Sequence, residues 1–410
     1  MNLTRLAVLV GLVASGFAAC TRVEAAKPSP SVSLGEGGAG AEPANGSGSL
    51  AGASGDGQGG QYVSAGGAPA AIGIGVWPTF ATLPDQNGDV QATLASVSTL
   101  SIGATTLPFA ERWDELSGAT GSPRAVVWNR LDAMTQPYRD RHGAVALCIG
   151  IVDREASAWP EGVDLATDAA SAAIERTIDE VYKRYASYLS HLCFGYEVDR
   201  YLAKATSTAQ KRLLAFLAHA VDYASHHPLR KPQTAIGTAI TLDALSAGST
   251  AALSELLLGD EVVAVYDPLD AKAALKAPES VADEVQTALK TLDAAAGPTL
   301  PLTLFEVGYP SSRAVGSNEQ AQQKYYDSLF EVLDANRQDV AFVGAFALSD
   351  RAAADCQAEA VWFGGTPSEQ AQRALVRCSM GLRADTADDP PATIYKLAWP
   401  SVVAAVSRYR

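Results

Sequence analysis

Two glutamates stand where a pair of carboxyl groups could carry out acid–base chemistry together. Glu197 closely follows the apolar run Leu192–Gly195, and Glu306 directly follows the apolar run Leu302–Phe305. A carboxyl group that keeps its proton can donate it to a leaving group, while an ionised partner attacks as the nucleophile. This is the chemistry of glycoside hydrolysis with retention of configuration, which places the two groups roughly 5 Å apart. We therefore take Glu197 and Glu306 as the candidate catalytic pair.

The elements that position these glutamates are short apolar runs that alternate with amphipathic helical stretches. The runs are rich in β-branched and small residues, which is typical of strands buried on both faces. The predicted strands are Ile72–Trp77, a run near Thr105–Phe109, Val145–Val152, Leu192–Gly195, Thr234–Gly237, Glu261–Tyr266, Leu302–Phe305 and Ala341–Phe346. The clearest predicted helices are Asp168–Leu189, Ser207–Ser225 and Ser317–Asn336.

Eight strand–helix units in residues 72–410 predict the α/β class with a single (β/α)8 TIM barrel, which usually needs about 250 residues plus insertions. A doubly wound open sheet is the alternative, but it normally has a Gly-rich phosphate loop after its first strand. The segment Pro78-Thr79-Phe80 follows the first predicted strand and lacks those glycines. The carboxyl ends of barrel strands meet at one mouth, so Glu197 on strand four and Glu306 on strand seven should face each other.

The residues around both glutamates resemble motifs of the large clan of retaining (β/α)8 glycoside hydrolases, in particular its β-1,3-glucanase-like members. Tyr266–Leu269 and Gly381–Arg383 also resemble segments of hydrolase-like bacterial lipoproteins. Phe305–Ser312 is similar to the nucleophile motif Glu-x-Gly-Trp/Tyr-Pro-Ser, and Gly195–Asp199 is similar to the acid/base motif Gly-Asn-Glu-Val. The resemblance covers residues 72–410. It implies that Glu197 is the acid/base, that Glu306 is the nucleophile, and that Tyr266 hydrogen-bonds the nucleophile.

One residue departs from the resemblance. Tyr196 stands immediately before the acid/base, where the clan has an Asn that contacts the sugar 2-hydroxyl. That contact strengthens in the transition state and contributes several kcal/mol in such enzymes. The substitution implies a different substrate or a weakened activity. The alternative function is therefore a catalytically weak or inactive barrel that binds glycans or serves as a surface scaffold.

Other side chains near the predicted mouth are candidates for substrate binding. Trp77 and Trp362 could stack on sugar rings, because aromatic faces pack against apolar faces of pyranoses. Asp153 ends strand three and Asp350 lies beyond strand eight. Each has a structural alternative, namely core or rim packing for the tryptophans and for Tyr266, and solvated loop charges or helix caps for the aspartates.

The composition excludes several classes of function. The formal net charge is −14, from 45 Asp and Glu against 31 Lys and Arg, and no basic patch offsets it, so a nucleic-acid partner is not expected. The five histidines show no metal-ligand spacing and no Gly-x-Ser-x-Gly motif occurs, so we expect neither a metal nor another cofactor, nor a serine hydrolase. The expected ligand is a polysaccharide or an oligosaccharide.

The first 20 residues predict a lipoprotein signal peptide. Arg5 supplies a positive charge, and the apolar stretch Leu6–Phe17 is too short to span a bilayer. The sequence Phe17-Ala18-Ala19-Cys20 resembles a bacterial lipobox and implies lipidation of Cys20, although an ordinary signal peptide cut near Ala19 is the alternative. Thr21, in place of the Asp of inner-membrane retention signals, favours the outer membrane or the cell surface. The protein is therefore expected to be exported and lipid-anchored to the cell envelope.

Residues 21–71 are rich in Gly, Ala and Ser and predict a disordered linker between the signal peptide (1–20) and the barrel domain (72–410). A flexible chain of ~50 residues spans roughly 40 Å, enough to hold a domain clear of a lipid surface.

Four cysteines remain besides Cys20. Cys356 and Cys378 flank the segment after strand eight and are expected to pair in an exported protein. Cys148 and Cys193 lie in neighbouring strands. Buried free thiols are the default expectation for these two, with a cross-strand disulfide as the alternative.

Overall fold

The computed structural model describes residues 72–78, 98–118, 121–247, 253–296, 300–351, 356–357, 366–385 and 393–409. The predicted signal peptide and linker, the candidate lipidation site Cys20 and the candidate sugar-binding Trp362 lie outside the described residues. Within these ranges, no helix has both the length and the apolar character that a bilayer crossing requires.

Eight parallel strands close into a barrel. The strands of the main sheet are β1 (Gly73–Val76), β2 (Thr106–Arg112), β3 (Ala144–Asp153), the short β4 (Ala156–Ser157), β5 (Leu189–Tyr196), β6 (Ala235–Thr241), β7 (Glu261–Val265), β8 (Leu302–Val307) and β9 (Val340–Ala345). All except β4, which pairs antiparallel with β3, form the barrel in chain order, and β1 pairs in parallel with both β2 and β9. The predicted (β/α)8 barrel is confirmed, and the open sheet is ruled out because the sheet closes.

Helices surround the barrel and occupy its mouth. They are α1 (Trp113–Leu116), α2 (Ala125–Arg139), α3 (Asp168–Tyr185), α4 (Val198–Lys204), α5 (Ser207–Ser225), α6 (Leu242–Ser246), α7 (Ser280–Ala296), α8 (Glu319–Ala335), α9 (Pro367–Cys378) and α10 (Trp399–Arg408). The side chains of Thr167, Thr206 and Asn318 cap α3, α5 and α8 by accepting a backbone N–H of the first turn. Such caps satisfy donors that a helix leaves unpaired, which explains why these helices begin where they do.

Two separate apolar layers hold the barrel together, because successive side chains of a strand point to opposite faces. The outer layer, between strands and helices, includes Val145, Leu147, Ile149, Leu192 and Leu302. The inner layer, which fills the barrel, includes Ala146, Cys148, Cys193, Ala239, Val263, Phe305 and Phe342. A barrel filled in this way has no pore, so chemistry belongs at its mouth.

Two disulfides are present. Cys148 and Cys193, in register on β3 and β5, are bonded inside the barrel, so the default expectation of free thiols is wrong and the cross-strand disulfide is present. Cys356 is bonded to Cys378, the last residue of α9.

Helix α9 and the residues after it cover the barrel mouth. Val376 of α9 and Met380 just beyond it belong to the same apolar cluster as Phe305 and Phe346 of the barrel interior. The side-chain amide of the buried Gln322 on α8 donates to the carbonyl of Met380 and so holds this segment down. Side chains of α9 therefore reach the carboxyl ends of the barrel strands.

Candidate active site

Glu197 occupies a strained position at the end of the fourth barrel strand. Strand β5 ends at Tyr196, and Glu197 is the residue from which α4 begins, with φ 53° and ψ 50°. This left-handed conformation is unfavourable for a residue with a Cβ atom, by about 1–3 kcal/mol, and persists only where surrounding structure imposes it. The turn brings the side chain into the mouth, where 3% of the residue is exposed.

Two arginines bracket the Glu197 carboxyl group. Arg200, one turn further along α4, places its Nε 2.7 Å from Glu197 Oε2, and Arg154, just after β3, places its Nε 3.4 Å from Oε1. Burial raises the pKa of Glu197 to about 7, although the charges of Arg200 and Arg154 act in the opposite direction. A carboxyl group with this pKa holds and releases a proton near neutral pH, which suits a general acid/base.

Glu306 reaches the same mouth from the seventh barrel strand. Consecutive strand residues normally point to opposite faces, yet both Phe305 and Glu306 face the interior. The pairing of β8 with β9 is irregular between Leu304 and Val307, and a local irregularity of this kind re-aims a side chain. The structure thus turns Glu306 inward at the carboxyl end of β8.

Both oxygens of the buried Glu306 carboxylate accept hydrogen bonds. The hydroxyl of Tyr196 donates to Oε2, and a terminal guanidinium nitrogen of Arg377, on α9, donates to Oε1. Glu306 is 1% exposed. Its two partners come from β5 and from the helix that covers the mouth, so the geometry of this carboxylate depends on the docking of α9.

A third carboxylate links the two sides of the mouth. Oδ2 of Asp267, just after β7, lies 2.5 Å from Nη2 of Arg200 and 2.9 Å from Nη1 of Arg373 on α9. Burial alone would raise the pKa of Asp267, but the charges of Arg200 and Arg373 outweigh it and hold the pKa below its usual value. Asp267 is therefore an ionised link between the acid/base candidate and α9.

A small pocket opens beside this network. Glu197, Asp267, Arg373 and Arg377 line it, together with apolar residues of α9 and its surroundings. Glu306 is not among the lining residues, but it is almost fully buried and accepts a hydrogen bond from the guanidinium of Arg377. The acid/base candidate therefore lines the pocket, whereas the nucleophile candidate does not and contacts it only through Arg377.

Tyr266 lies elsewhere than the resemblance implied. Its backbone N–H donates to the carbonyl of Glu306 over 2.9 Å, but its ring packs 5.1 Å from that of Tyr325, on α8. Lys276 lies over the same ring, 5.0 Å from its centroid. The hydroxyl that donates to the Glu306 carboxylate belongs to Tyr196 instead. Part of Tyr266 lines the pocket, so a substrate contact stays a prediction.

The remaining described candidates lie around the mouth. Trp77 packs edge-on against Phe305 and Phe346, at ring distances of 5.3 and 5.7 Å, and its indole N–H donates to the Phe305 carbonyl. Oδ1 of Asp153 lies 2.7 Å from Nη1 of Arg154, with which it forms an ion pair. Both side chains support neighbours of the catalytic candidates, and their contact with substrate stays a prediction.

Asp350 has a different environment from the other candidates. Its carboxylate lies 2.5 Å from the ammonium group of Lys396 and accepts the backbone N–H of Gly381 over 3.1 Å. These contacts join the end of the barrel to the segment that carries the short antiparallel strands β10 (Arg383–Asp385) and β11 (Thr393–Tyr395). Asp350 thus stabilises the C-terminal part of the domain, and a substrate contact stays a prediction.

The arginines of the mouth were not among the predicted site residues. Arg200 lies three positions after Glu197, a spacing that brings two side chains together on a helix, but no helix was predicted there. Arg373 and Arg377 lie four residues apart and so share one face of α9. The sequence holds no local signal that this face covers the barrel mouth. Among the described residues, no group of three or more His, Cys, Asp or Glu is arranged to hold a metal ion.

Comparisons with known proteins identify solved structures that have a similar fold. No protein-family model and no curated protein sequence matches the chain. A GH5_18 variant from Streptomyces cattleya in complex with Manb1-4GlcNAc is 14% identical, with a TM-score of 0.59, over 83% of this chain and 81% of that chain. A GH5_18 protein from Bifidobacterium longum subsp. infantis is 13% identical, with a TM-score of 0.58, over 83% and 80%. The beta-glycosidase BGL167 is 11% identical, with a TM-score of 0.54, over 79% and 86%.

The chain shares its fold with GH5 glycosidases. The resemblance of the barrel to retaining glycoside hydrolases, expected from the two glutamate motifs, is confirmed at the level of the fold. Sequence identities of 11–14% do not assign roles to individual residues. The roles of Glu197 and Glu306 rest on the geometry of the site.

Proposed function

We propose that the barrel domain is a retaining glycoside hydrolase that acts on a β-linked extracellular or cell-wall polysaccharide, with Glu197 as acid/base and Glu306 as nucleophile. The observation that carries the proposal is the buried Glu197 carboxyl group, with its pKa near 7, which lines the mouth pocket of a (β/α)8 barrel. Glu306 is the second buried glutamate at the same mouth. The neighbouring structure that holds Manb1-4GlcNAc supports a β-linked sugar as ligand.

The reaction would proceed in two displacements. Protonated Glu197 donates its proton to the glycosidic oxygen while a Glu306 oxygen attacks the anomeric carbon, so the leaving sugar departs as an alcohol and a glycosyl ester forms on Glu306. Glu197, now ionised, takes a proton from water. The resulting oxygen nucleophile attacks the anomeric carbon, and Glu306 is released as a carboxylate.

A second candidate function is glycan binding without turnover. It is favoured by the burial of Glu306, whose oxygens both accept hydrogen bonds and which does not line the pocket, whereas its partner Arg377 does. A sugar could occupy the pocket beside Glu197 and Asp267 without reaching the nucleophile candidate. The two candidates differ in whether a bound sugar reaches the Glu306 carboxylate.

A hydrolysis screen separates these candidates. The chain from residue 21 onward and its Glu306→Gln variant would be assayed on β-linked glucans, mannans and short oligosaccharides. As a retaining enzyme, the unchanged protein should release sugars, and the variant should lose at least about 10³-fold in kcat. Equal turnover by both proteins would remove Glu306 as nucleophile. Binding of a glycan by both, with turnover by neither, would establish the second candidate.

We also propose that a lipid on Cys20 tethers the domain to the cell envelope, at the outer membrane or the cell surface. The support is the lipobox-like sequence before Cys20 and the Gly-rich stretch after it. Cys20→Ser should move the protein from the membrane fraction to the soluble fraction of an expressing cell, and an unchanged distribution would contradict the anchor.

A further inference from the structure

The hydroxyl of Tyr196 connects two distant parts of the chain at the barrel mouth. It donates to Glu306 Oε2 across the interior, although the two residues lie 110 positions apart and on the non-adjacent strands β5 and β8. Tyr196 itself is 4% exposed. A contact of this kind fixes one oxygen of the nucleophile candidate relative to the strand that carries the acid/base candidate.

Both the backbone and the ring of Tyr196 are held by neighbouring residues. Its backbone pairs with Asp153 of β3, and its carbonyl accepts the backbone N–H of Arg154 over 2.8 Å. The guanidinium carbon of Arg154 lies 5.2 Å from the ring centroid, within cation–π range. A side chain supported in this way offers its hydroxyl in one direction, which is the requirement for orienting a partner.

The hydroxyl acts as a donor at every relevant pH. Burial, and after it the negative charge of Glu306, raises the pKa of Tyr196 well above its usual value. The group therefore keeps its proton, and since a carboxylate is an acceptor only, the hydrogen bond has one direction. Tyr266 does not share this task, because its ring packs against Tyr325 on α8.

We propose that Tyr196 is a positioning residue for Glu306, and that its hydroxyl holds the carboxylate in the orientation needed for attack. The inference rests on the proposed hydrolase function and deepens it. Where the resembled clan has an Asn that contacts the substrate, this chain places a group that is committed to the enzyme's own nucleophile. Recognition at the sugar 2-position would therefore depend on other residues.

Three variants test this inference. Tyr196→Phe removes the hydroxyl and keeps the ring. Tyr188→Phe is the matched control, because Tyr188 lies just before the same strand and donates its hydroxyl to Thr135 over 3.2 Å, away from the mouth. Tyr196→Asn carries the residue of the resembled clan. Each would be assayed for kcat and KM on the best substrate of the screen, and the orientation of the Glu306 carboxylate would be read from crystal structures.

The expected result is a fall in kcat of about 10²-fold for Tyr196→Phe, with KM within about threefold, since the lost donor orients the reacting group. Tyr196→Asn should be equally impaired, and Tyr188→Phe should match the unchanged protein. The Glu306 carboxylate should leave its observed orientation in both Tyr196 variants. Retained kcat in Tyr196→Phe, or full activity in Tyr196→Asn, would overturn the inference.

The structural readout keeps this test separate from the proposed function. If the unchanged protein hydrolyses nothing in the screen, the proposed function fails, and the crystal structures alone decide the role of Tyr196. A Glu306 carboxylate that reorients only in the Tyr196 variants would still support positioning. A carboxylate that stays in place in Tyr196→Phe, held by Arg377 alone, would overturn it.

Discussion

Buried glutamates lie at both ends of the barrel interior, and their surroundings differ. At the amino ends of the strands, Glu261 is fully buried, 2.8 Å from the imidazole Nδ1 of His191 and 2.5 Å from the hydroxyl of Thr303. At the carboxyl ends, Glu197 forms ion pairs with Arg200 and Arg154, and Glu306 accepts hydrogen bonds from Tyr196 and Arg377. The same residue type is therefore buried in two chemically distinct environments.

The difference between the two ends indicates where chemistry occurs. Glu197 and Arg154 both have left-handed backbones, whereas Glu261 begins a regular strand. Glu197 also lines the mouth pocket, whereas Glu261 is enclosed by the side chains of the barrel. Non-glycine residues with left-handed backbones cluster at functional sites, while an enclosed and hydrogen-bonded carboxyl group serves stability. The proposed reaction therefore belongs at the mouth, and Glu261 at the amino end is expected to contribute to stability.

Among the variants that test the difference between the two ends of the barrel, Glu197→Gln is expected to change kcat most. Loss of a general acid/base should lower kcat by about 10²- to 10⁴-fold on a glycan substrate. An aryl glycoside with an acidic leaving group needs little protonation, so its first displacement should be much less affected. Rates on both substrate types, measured side by side, check the assignment.

The pH dependence of kcat/KM tests the same assignment, because a general acid predicts the direction of the change. The pKa of Glu197 is raised to about 7, so the proton-donating form is present below that pH and is lost above it. In the unchanged protein, kcat/KM on a glycan should therefore fall as the pH rises through about 7, and Glu197→Gln should abolish this alkaline limb. An alkaline limb that persists in the variant would assign the acid to another group and weaken the contrast between the two ends.

Much of the fold and part of the site could be predicted from local sequence. Buried strands and amphipathic helices leave periodic patterns, and residues after a strand such as Glu306 can be placed at the barrel mouth by topology alone. The roles of the two tyrosines could not be separated in this way. Which of Tyr196 and Tyr266 faces Glu306 depends on strand register and on the outward turn after β7. The contact of Arg377 with Glu306 depends on how α9 docks, which is set by packing between distant segments.

A smaller effect, on stability rather than on turnover, is expected from Glu261→Gln at the amino end. An amide of the same shape keeps its volume but replaces an ionisable acceptor between His191 and Thr303. Disturbing buried hydrogen bonds of this kind should lower the free energy of unfolding by about 1–3 kcal/mol. Denaturant unfolding measures this loss, and kcat at 25 °C should stay unchanged because the mouth is not touched.

Glu180→Gln is the matched control for this change. Glu180 lies on α3, where it pairs with Lys183 and Arg184 at the protein surface, and such pairs contribute at most about 1 kcal/mol. A larger loss of stability in Glu261→Gln than in Glu180→Gln, with equal kcat, would support separate tasks for the two ends of the barrel. A fall in kcat with unchanged stability would instead mean that the amino end positions the catalytic mouth, because strands β5 and β8 carry His191 and Thr303 at one end and Tyr196 and Glu306 at the other.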